Sequence, residues 1–156
     1  MKNAYKFIIS IVAPPLAGFI GSLFTTQAIP YWYAGLIKPE LNPPSWIFAP
    51  VWTILYLIMG FAAFLVWRKG YERRDVRHAL KLYVFQLVLN VAWSIIFFGL
   101  KNPGAALIEI IILWLAILAT IFAFFKVSKI AGSLLIPYIL WVSFATYLTY
   151  SIWILN

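Results

Sequence analysis

Long apolar runs alternate with short polar connections along the whole chain. Each run reaches about 20 mainly apolar residues, which is the length that an α-helix needs to cross the hydrocarbon core of a bilayer. The pattern predicts an all-α integral membrane protein, in which residues 1–156 form a single five-transmembrane-helix bundle. We expect the helices at about 6–29, 46–67, 79–100, 104–125 and 131–154.

The composition favours lipid rather than water as the solvent of this bundle. Apolar residues make up 65% of the chain and charged residues only 10%, which leaves too little polar surface for a soluble domain. The chain contains no cysteine. Disulfides, thiolate metal sites and cysteine nucleophiles are therefore excluded.

The net charge of +8 is concentrated at one end of the predicted bundle. When the connections are assigned alternately to two sides, ten of the 12 Lys and Arg residues fall on the side of the N-terminus, and only Lys38 and Lys101 fall on the other. The positive-inside rule then places the N-terminus in the cytoplasm and the C-terminus outside. We expect the lipid membrane, through its anionic headgroups, to be the partner of this charge. We expect no nucleic acid, because no aromatic residues interleave with the basic cluster.

The segment PELNPPSWIFAPVW, residues 39–52, follows the first apolar run and holds four prolines and two tryptophans. Proline fixes its own φ and restricts the residue before it. The first external loop, about 30–45, is therefore expected to hold one shape at a low entropic cost. A lid or a wall over a cavity needs this property.

Small residues recur every four positions in the first run, at Ala13, Ala17 and Gly21, beside the pair Pro14-Pro15. This spacing lets another helix approach closely. The approaching helix belongs either to the same chain or to a second copy, and the spacing does not distinguish the two.

Gln86, Asn90 and Trp93 share one face of the third predicted helix, because they stand at i, i+4 and i+7. An amide in hydrocarbon is costly unless it is hydrogen-bonded, so this stripe is expected to face the bundle interior or a cavity. Two interpretations stay open. The amides either join helices, at about 1 kcal/mol per contact, or orient a ligand.

Tryptophans inside the predicted helices indicate an aromatic cluster beneath the first loop. Trp67 and Trp153 lie at helix ends, where an interfacial belt explains them. At about 1.5 Å per residue, Trp52 and Trp93 lie about 10 Å deep and Trp141 lies nearer the midplane. Their convergence predicts an aromatic cavity capped by the loop, with aromatic core packing as the alternative.

Few titratable side chains fall within or beside the predicted spans. Glu109 is the one acid inside a span, and we expect it to reach the outer end of its helix or to pair with Lys101, although an intramembrane carboxylate is also a functional candidate. The single histidine, His78, is expected at the cytoplasmic surface rather than as a haem ligand. One histidine and one buried acid argue against a metal site. The residue sets for hydrolysis or phosphoryl transfer are not found.

Several segments follow one another in a defined order: WY at 32–33, KP at 38–39, PPSW at 43–46, PVWTILYLIMG at 50–60, Q-x-x-x-N-x-x-W ending at Trp93, FFG at 97–99 and PYILWVSFAT at 137–146. In these segments the sequence resembles the translocator protein (TspO/MBR) family, also called tryptophan-rich sensory proteins or peripheral benzodiazepine receptors, and it is identified as a bacterial member. The resemblance runs through essentially the whole chain.

The resemblance implies a five-helix bundle, usually a homodimer, with a ligand cavity that the first loop covers. Family ligands are protoporphyrin and haem-type tetrapyrroles, isoquinoline carboxamides, benzodiazepines and, in animal members, cholesterol; no cofactor is required. For bacterial members the family implies light-dependent breakdown of protoporphyrin, for which Trp52 and Trp141 are our candidate relay residues. The implied ligand-binding residues are Trp32, Tyr33, Pro44, Trp46, Trp52, Tyr56, Asn90, Trp93, Trp141, Phe144 and Ala145, to which the polar stripe adds Gln86.

The sequence departs from the family pattern in two respects. Leu41 and Val91 stand where the family, or its animal members, commonly carry tryptophan. No basic residue follows Tyr147 or Tyr150, so the cholesterol motif is missing and sterol recognition is not expected.

Three functions remain open from the sequence. The first is a membrane receptor that binds porphyrins and drug-like aromatic ligands and degrades protoporphyrin under light. The second is a transporter of tetrapyrroles or other hydrophobic metabolites, with Glu109 as its coupling-proton candidate; the lack of an internal repeat counts against it. The third is a membrane scaffold or stress sensor without chemistry. We favour the first, in a bacterial cytoplasmic (inner) membrane.

Overall fold

Six α-helices make up most of the protein in this computed structural model, which describes residues 2–156. Five stretches of these residues are helical, long and apolar enough to cross a membrane. This confirms the all-α, five-span architecture that the hydrophobic pattern predicts. The last span contains two helices in series. The bounds are α1 Lys2–Ala28, α2 Phe48–Trp67, α3 Arg74–Ser94, α4 Pro103–Val127, α5 Lys129–Leu134 and α6 Ile136–Leu155.

The third helix begins at Arg74 and not near residue 79, where the apolar pattern starts. Asp75 lies in its first turn and accepts a hydrogen bond from the backbone N–H of Val76 at 2.9 Å. The same carboxylate pairs with the Arg73 guanidinium at 2.7 Å. A negative charge stabilises a helix N-terminus, where backbone N–H groups lack partners. Local charge therefore extends the helix beyond its apolar part.

A tight turn joins α3 to α4 and makes them antiparallel neighbours. Lys101 takes a positive φ of 55° in this turn. The side chain of Asn102 then accepts a hydrogen bond from the backbone N–H of Ala105 at 3.1 Å and so caps α4. Pro103 follows in the first turn of the helix, where a missing N–H costs least.

The first two helices are in close contact beside the prolines of α1. α1 continues through Pro14 and Pro15, but Pro14 has no N–H to donate to the carbonyl of Ser10. Gly60 of α2 lies against this carbonyl, and a Cβ at Gly60 would overlap its oxygen. The glycine therefore permits backbone contact between the two helices.

The small residues Ala13, Ala17 and Gly21 of α1 do not all face the same neighbour. Gly21 is buried, and a Cβ there would lie 3.2 Å from the Ser94 hydroxyl oxygen of α3. Ala13, by contrast, is exposed, and Ala17 is partly exposed. Gly21 thus serves packing within the chain, whereas Ala13 lies on an outward face.

The core lies between α2, α3, α4 and α6, and the outer faces are apolar. Met59, Val66 and Val142 are fully buried in it. Large apolar side chains on the outside are exposed, for example Phe19 to 61% and Ile108 to 65%. In water such a surface would mark an interface. In a bilayer it faces lipid tails, and the helices satisfy their backbone groups internally.

Candidate functional site: an aromatic cavity beneath the first loop

A cavity of about 480 Å³ lies between the helices at the end of the bundle that carries the first loop. Its wall takes residues from α1, α2, α3, α4 and α6, and Asn42 and Ser45 contribute from the loop. Apolar and aromatic side chains form most of the wall, as in small-molecule sites, which measure roughly 300–1,000 Å³. The size and lining are those of a ligand site.

The first side of the wall is a set of rings from α2 and α6. Trp52 is at its centre and stacks on Tyr56, one turn further along α2, with centroids 5.4 Å apart and an interplanar angle of 28°. Trp141 meets Trp52 edge-on at 6.4 Å, and Tyr138 does so at 6.3 Å. Phe48 then contacts Trp141 at 6.2 Å. Edge-to-face contacts hold such rings in defined orientations, so this side is a preformed aromatic surface.

The second side of the wall depends on a π-helical turn, Ile95–Gly99, that follows α3. Trp93 stacks on Phe97 at 5.0 Å and meets Phe98 edge-on at 5.9 Å. The wider π turn brings both phenylalanines, at i+4 and i+5, to the face of Trp93. A regular α-helix would direct Phe98 away from that face.

A chain of hydrogen bonds forms the floor of the cavity. The Tyr56 hydroxyl donates to Asn90 Oδ1 at 2.9 Å, and Asn90 Nδ2 donates to the Tyr138 hydroxyl oxygen at 2.8 Å. The Tyr138 hydroxyl in turn donates to Gln86 Oε1 at 2.7 Å. The amides of the α3 stripe therefore face the interior and join α2, α3 and α6. We call these four side chains the floor network.

Two tryptophan N–H groups in the wall have no acceptor among residues 2–156. They are Nε1 of Trp93 and Nε1 of Trp141, which are buried although both side chains line the cavity. By contrast, Trp114 Nε1 lies outside the cavity and donates to the Ser143 hydroxyl at 2.8 Å. A buried donor without an acceptor costs about 1–3 kcal/mol. Both nitrogen atoms are covered by protein atoms, so an acceptor on a ligand would reach them only after a local movement of the wall.

The first loop is anchored over the cavity by polar contacts. The side chain of Asn156 donates to the backbone carbonyl of Ile37 at 2.9 Å and accepts from its N–H at 3.0 Å. The Tyr33 hydroxyl donates to Asn42 Oδ1 at 3.2 Å, and burial raises the pKa of Tyr33, which keeps this donor protonated. Lys38 Nζ lies 4.7 Å from the centre of the Tyr33 ring. The loop is therefore tied to α6 and to itself.

Seven of the twelve predicted ligand residues line the cavity, in its wall or its floor: Tyr33, Trp52, Tyr56, Asn90, Trp93, Trp141 and Ala145. The other five lie elsewhere. Gln86 lies below the wall in the floor network. Trp32 and Phe144 pack behind the rings that line the cavity. Pro44 and Trp46 of the loop segment are exposed, Trp46 to 73%.

Sequence reasoning missed several residues of this site. Phe97 and Phe98 belong to the FFG segment, but nothing in a sequence predicts the π turn that directs both rings inward. Tyr138 belongs to the PYILWVSFAT segment, and its hydroxyl role depends on contacts with α3. α1 carries no distinguishing signal for its contributions, which come from Pro15, Gly18, Phe19, Ser22, Thr25 and Thr26.

The expectation that Glu109 reaches the outer end of its helix or pairs with Lys101 is wrong in this structure. Glu109 is only 8% exposed, and neither carboxylate oxygen has a hydrogen-bond partner within residues 2–156. Lys101 is exposed in the turn before α4. The physical reason is the position of Glu109 around the helix axis. It lies on the same side of α4 as the buried residues Ala106 and Leu113.

Comparison with known proteins agrees with the fold. The profile of the TspO/MBR family matches residues 10–154. The tryptophan-rich protein TspO of Chlorobaculum tepidum is 47% identical over 139 residues, which cover 89% of this chain and 88% of that protein. The tryptophan-rich protein TspO of Archaeoglobus fulgidus is 44% identical over 154 residues, 99% of each chain. The human translocator protein is 43% identical over 144 residues, 91% of this chain and 85% of its own. With five membrane-spanning stretches and these similarities, the chain belongs to the TspO/MBR family of multi-pass membrane proteins.

Proposed function

We propose that this protein is a membrane receptor for flat, hydrophobic ligands of the tetrapyrrole type, such as protoporphyrin or haem, and for drug-like aromatic amides of the isoquinoline carboxamide and benzodiazepine type. Family membership supports a receptor or transporter role in a membrane. The observation that carries the finer proposal is the pair of unpaired indole N–H groups, of Trp93 and Trp141, in an aromatic wall.

The wall specifies two features of the ligand. The rings of Trp52 and Tyr56 offer apolar, polarisable faces on which a flat conjugated system stacks. The N–H groups of Trp93 and Trp141 require an acceptor on the ligand, namely a carbonyl or a carboxylate. Tetrapyrroles and aromatic amides carry both features. A tetrapyrrole is larger than most drugs, so we expect one edge of the macrocycle to remain outside the cavity.

The test is a titration of the detergent-purified protein with protoporphyrin in the dark, followed by tryptophan fluorescence. We expect saturable quenching whose midpoint rises in Trp141→Phe and stays at the parent value in Trp67→Phe. Trp67 is a matched control because it lies at the far end of α2, edge-on to Tyr5. Quenching that does not saturate, or a midpoint equal in both variants, would refute the assignment of the cavity.

We further propose that bound protoporphyrin is broken down oxidatively under light. Excited porphyrin transfers its energy to dioxygen, and the singlet oxygen formed is the oxidant: it adds to the double bonds of the macrocycle, or to the indoles of Trp52 and Trp141, whose centroids are 6.4 Å apart. The measurement is loss of the porphyrin absorption band under illumination at saturating protein. Unchanged loss in Trp52→Phe, Trp141→Phe and the double variant, with binding retained, would remove both residues from the mechanism.

Transport is the second candidate, and Glu109 is the observation that favours it. A buried carboxylate without a partner is costly when ionised, so its proton occupancy would respond to changes around it. Flux of protoporphyrin into liposomes should then depend on a pH gradient and be lost in Glu109→Gln. Flux that persists in this variant would exclude Glu109 as the coupling group.

We propose a homodimer in the bacterial cytoplasmic membrane with the basic end of the bundle inside. The chain has no cysteine, so Glu72→Cys and Glu40→Cys each introduce one label site, at exposed positions in connections at opposite ends. An impermeant maleimide applied to spheroplasts should label the residue at position 40 and spare that at position 72. The reverse pattern would invert the orientation, and a monomeric mass in detergent and in nanodiscs would count against the dimer.

A further inference from the structure

One side of the cavity wall is exposed. Phe19, Ser22 and Thr26 of α1 and Ala49 and Thr53 of α2 all line the cavity, yet all five residues are exposed. The remaining helices contribute buried or half-buried residues to the wall. The cavity therefore communicates with the surroundings between α1 and α2.

Below this opening the same two helices are in close contact. Gly18 lies against the ring of Tyr56, and a Cβ there would overlap that ring. Further along, Gly60 lies against the backbone of Ser10. The gap between α1 and α2 is therefore closed toward the basic end and open only toward the first loop.

On the water-facing side the loop is fastened. The two hydrogen bonds between Asn156 and Ile37 tie it to the end of α6, and the Tyr33 hydroxyl ties it to Asn42. Several contacts must therefore break together before the loop can lift. The opening between α1 and α2 requires no contact to break.

The opening lies at a depth that suits an amphipathic molecule. Ser22 stands six residues before the end of α1, and Thr53 stands five residues after the start of α2. At about 1.5 Å per residue they lie about 9 Å and about 8 Å below those ends, in the outer part of the hydrocarbon layer. Their hydroxyls donate to carbonyls of their own helices, both at 2.7 Å, so their donors are satisfied. Neighbouring outward residues, such as Leu23 and Ile54, are apolar.

We propose that the gap between α1 and α2 is a lateral portal, through which a ligand dissolved in the membrane slides edgewise from the lipid into the cavity. The ligand class follows from this route: a flat apolar molecule that partitions into bilayers and carries its polar group near headgroup depth. The inference rests on the proposed ligand cavity, but it concerns the rate and route of access rather than affinity.

The test uses the absence of cysteine from the parent chain. Ser22→Cys and Thr53→Cys are placed in nanodiscs and alkylated with N-benzylmaleimide after folding, so each unmodified variant is its own folding control. Leu23→Cys and Ile54→Cys are the matched controls, because they are exposed on the same helices but do not line the cavity. Protoporphyrin is delivered from vesicles, and tryptophan quenching is followed in time.

We expect alkylation at positions 22 and 53 to slow the association rate about tenfold or more, and alkylation at positions 23 and 54 to leave it unchanged. Asn156→Ala, which releases the loop, should not speed association. Parent-like rates after alkylation at positions 22 and 53, or faster association in Asn156→Ala, would overturn the portal while leaving the cavity assignment intact. A parent protein without saturable quenching would remove the cavity and the portal together.

Discussion

The polar groups in the floor of the cavity are hydrogen-bonded, whereas two indole N–H groups in its wall have no acceptor. On α3, Asn90 is hydrogen-bonded within the floor network, whereas Trp93, three residues further on, has an unpaired N–H. On α6, Tyr138 is paired, whereas Trp141, again three residues further on, is not. The same two helices therefore provide both kinds of group, one turn apart.

On the proposed function, this contrast separates groups that hold the bundle from groups that bind a ligand. A buried network adds stability and fixes one arrangement when all its members are paired. A site for a small molecule needs the reverse, namely donors that are held rigidly and have no partner of their own. Paired neighbours beneath Trp93 and Trp141 supply that rigidity.

The largest expected effect is on stability, and it comes from Tyr138→Phe, which removes the central hydroxyl of the floor network. The Tyr138 hydroxyl accepts from Asn90 Nδ2 and donates to Gln86 Oε1, so its removal leaves these two buried amide atoms without that partner. We expect the free energy of unfolding to fall by about 1–3 kcal/mol, with ligand affinity nearly unchanged. Denaturant unfolding in detergent measures the first and protoporphyrin titration the second. Tyr147→Phe is the control on the same helix, because its side chain is exposed. Equal stability of the two variants would contradict a structural floor.

The next largest effect is expected on ligand affinity, when the two wall tryptophans are replaced. Trp93→Phe and Trp141→Phe each remove a donor that has no partner, so we expect little loss of stability. On the proposed function each variant also removes one hydrogen bond to the ligand, worth about 1 kcal/mol, so we expect affinity to fall about fivefold. Trp114→Phe is the opposite control, since its N–H is paired with Ser143 outside the cavity. It should lose stability and keep affinity. The reverse outcome would assign Trp93 and Trp141 to core packing.

The smallest effect is expected at Trp46, which the family resemblance includes among the ligand residues. Its side chain is 73% exposed and does not line the cavity. Trp46→Phe should therefore change both the unfolding free energy and the binding free energy by less than about 0.5 kcal/mol. A large loss of affinity would show that the loop moves onto the bound ligand and brings Trp46 into the wall.

The hydrophobic pattern was sufficient to predict the five spans, because lipid imposes the length and apolarity of a crossing helix. Helix periodicity also placed Gln86, Asn90 and Trp93 on one inward face. The burial of Glu109 was not predicted, because a single acid in an apolar run does not show which side of α4 faces the interior. The contribution of α1 was also missed, since its serines and threonines have no pattern that distinguishes a cavity from a lipid-facing surface.

The depth of Trp52, Trp93 and Trp141, counted from the ends of their predicted helices, predicted that they converge. It did not predict which of their N–H groups remain unpaired. That distinction depends on contacts between helices. Trp114 finds Ser143 of α6, and no periodicity within α4 encodes this partner. The π turn after α3, which sets the position of Phe98, is likewise a property of packing rather than of the local sequence.

The most direct measurement is a thermodynamic cycle that pairs the protein change with a ligand change. Protoporphyrin would be compared with a porphyrin ring that lacks carboxylates, in the parent and in the double variant Trp93→Phe/Trp141→Phe. If these indoles bind an acceptor of the ligand, the double variant should bind protoporphyrin more weakly and keep the parent affinity for the porphyrin without carboxylates. The coupling energy should then be about 0.5–3 kcal/mol. Equal losses for both porphyrins would mean that the indoles contribute only apolar surface, and the central claim would fail.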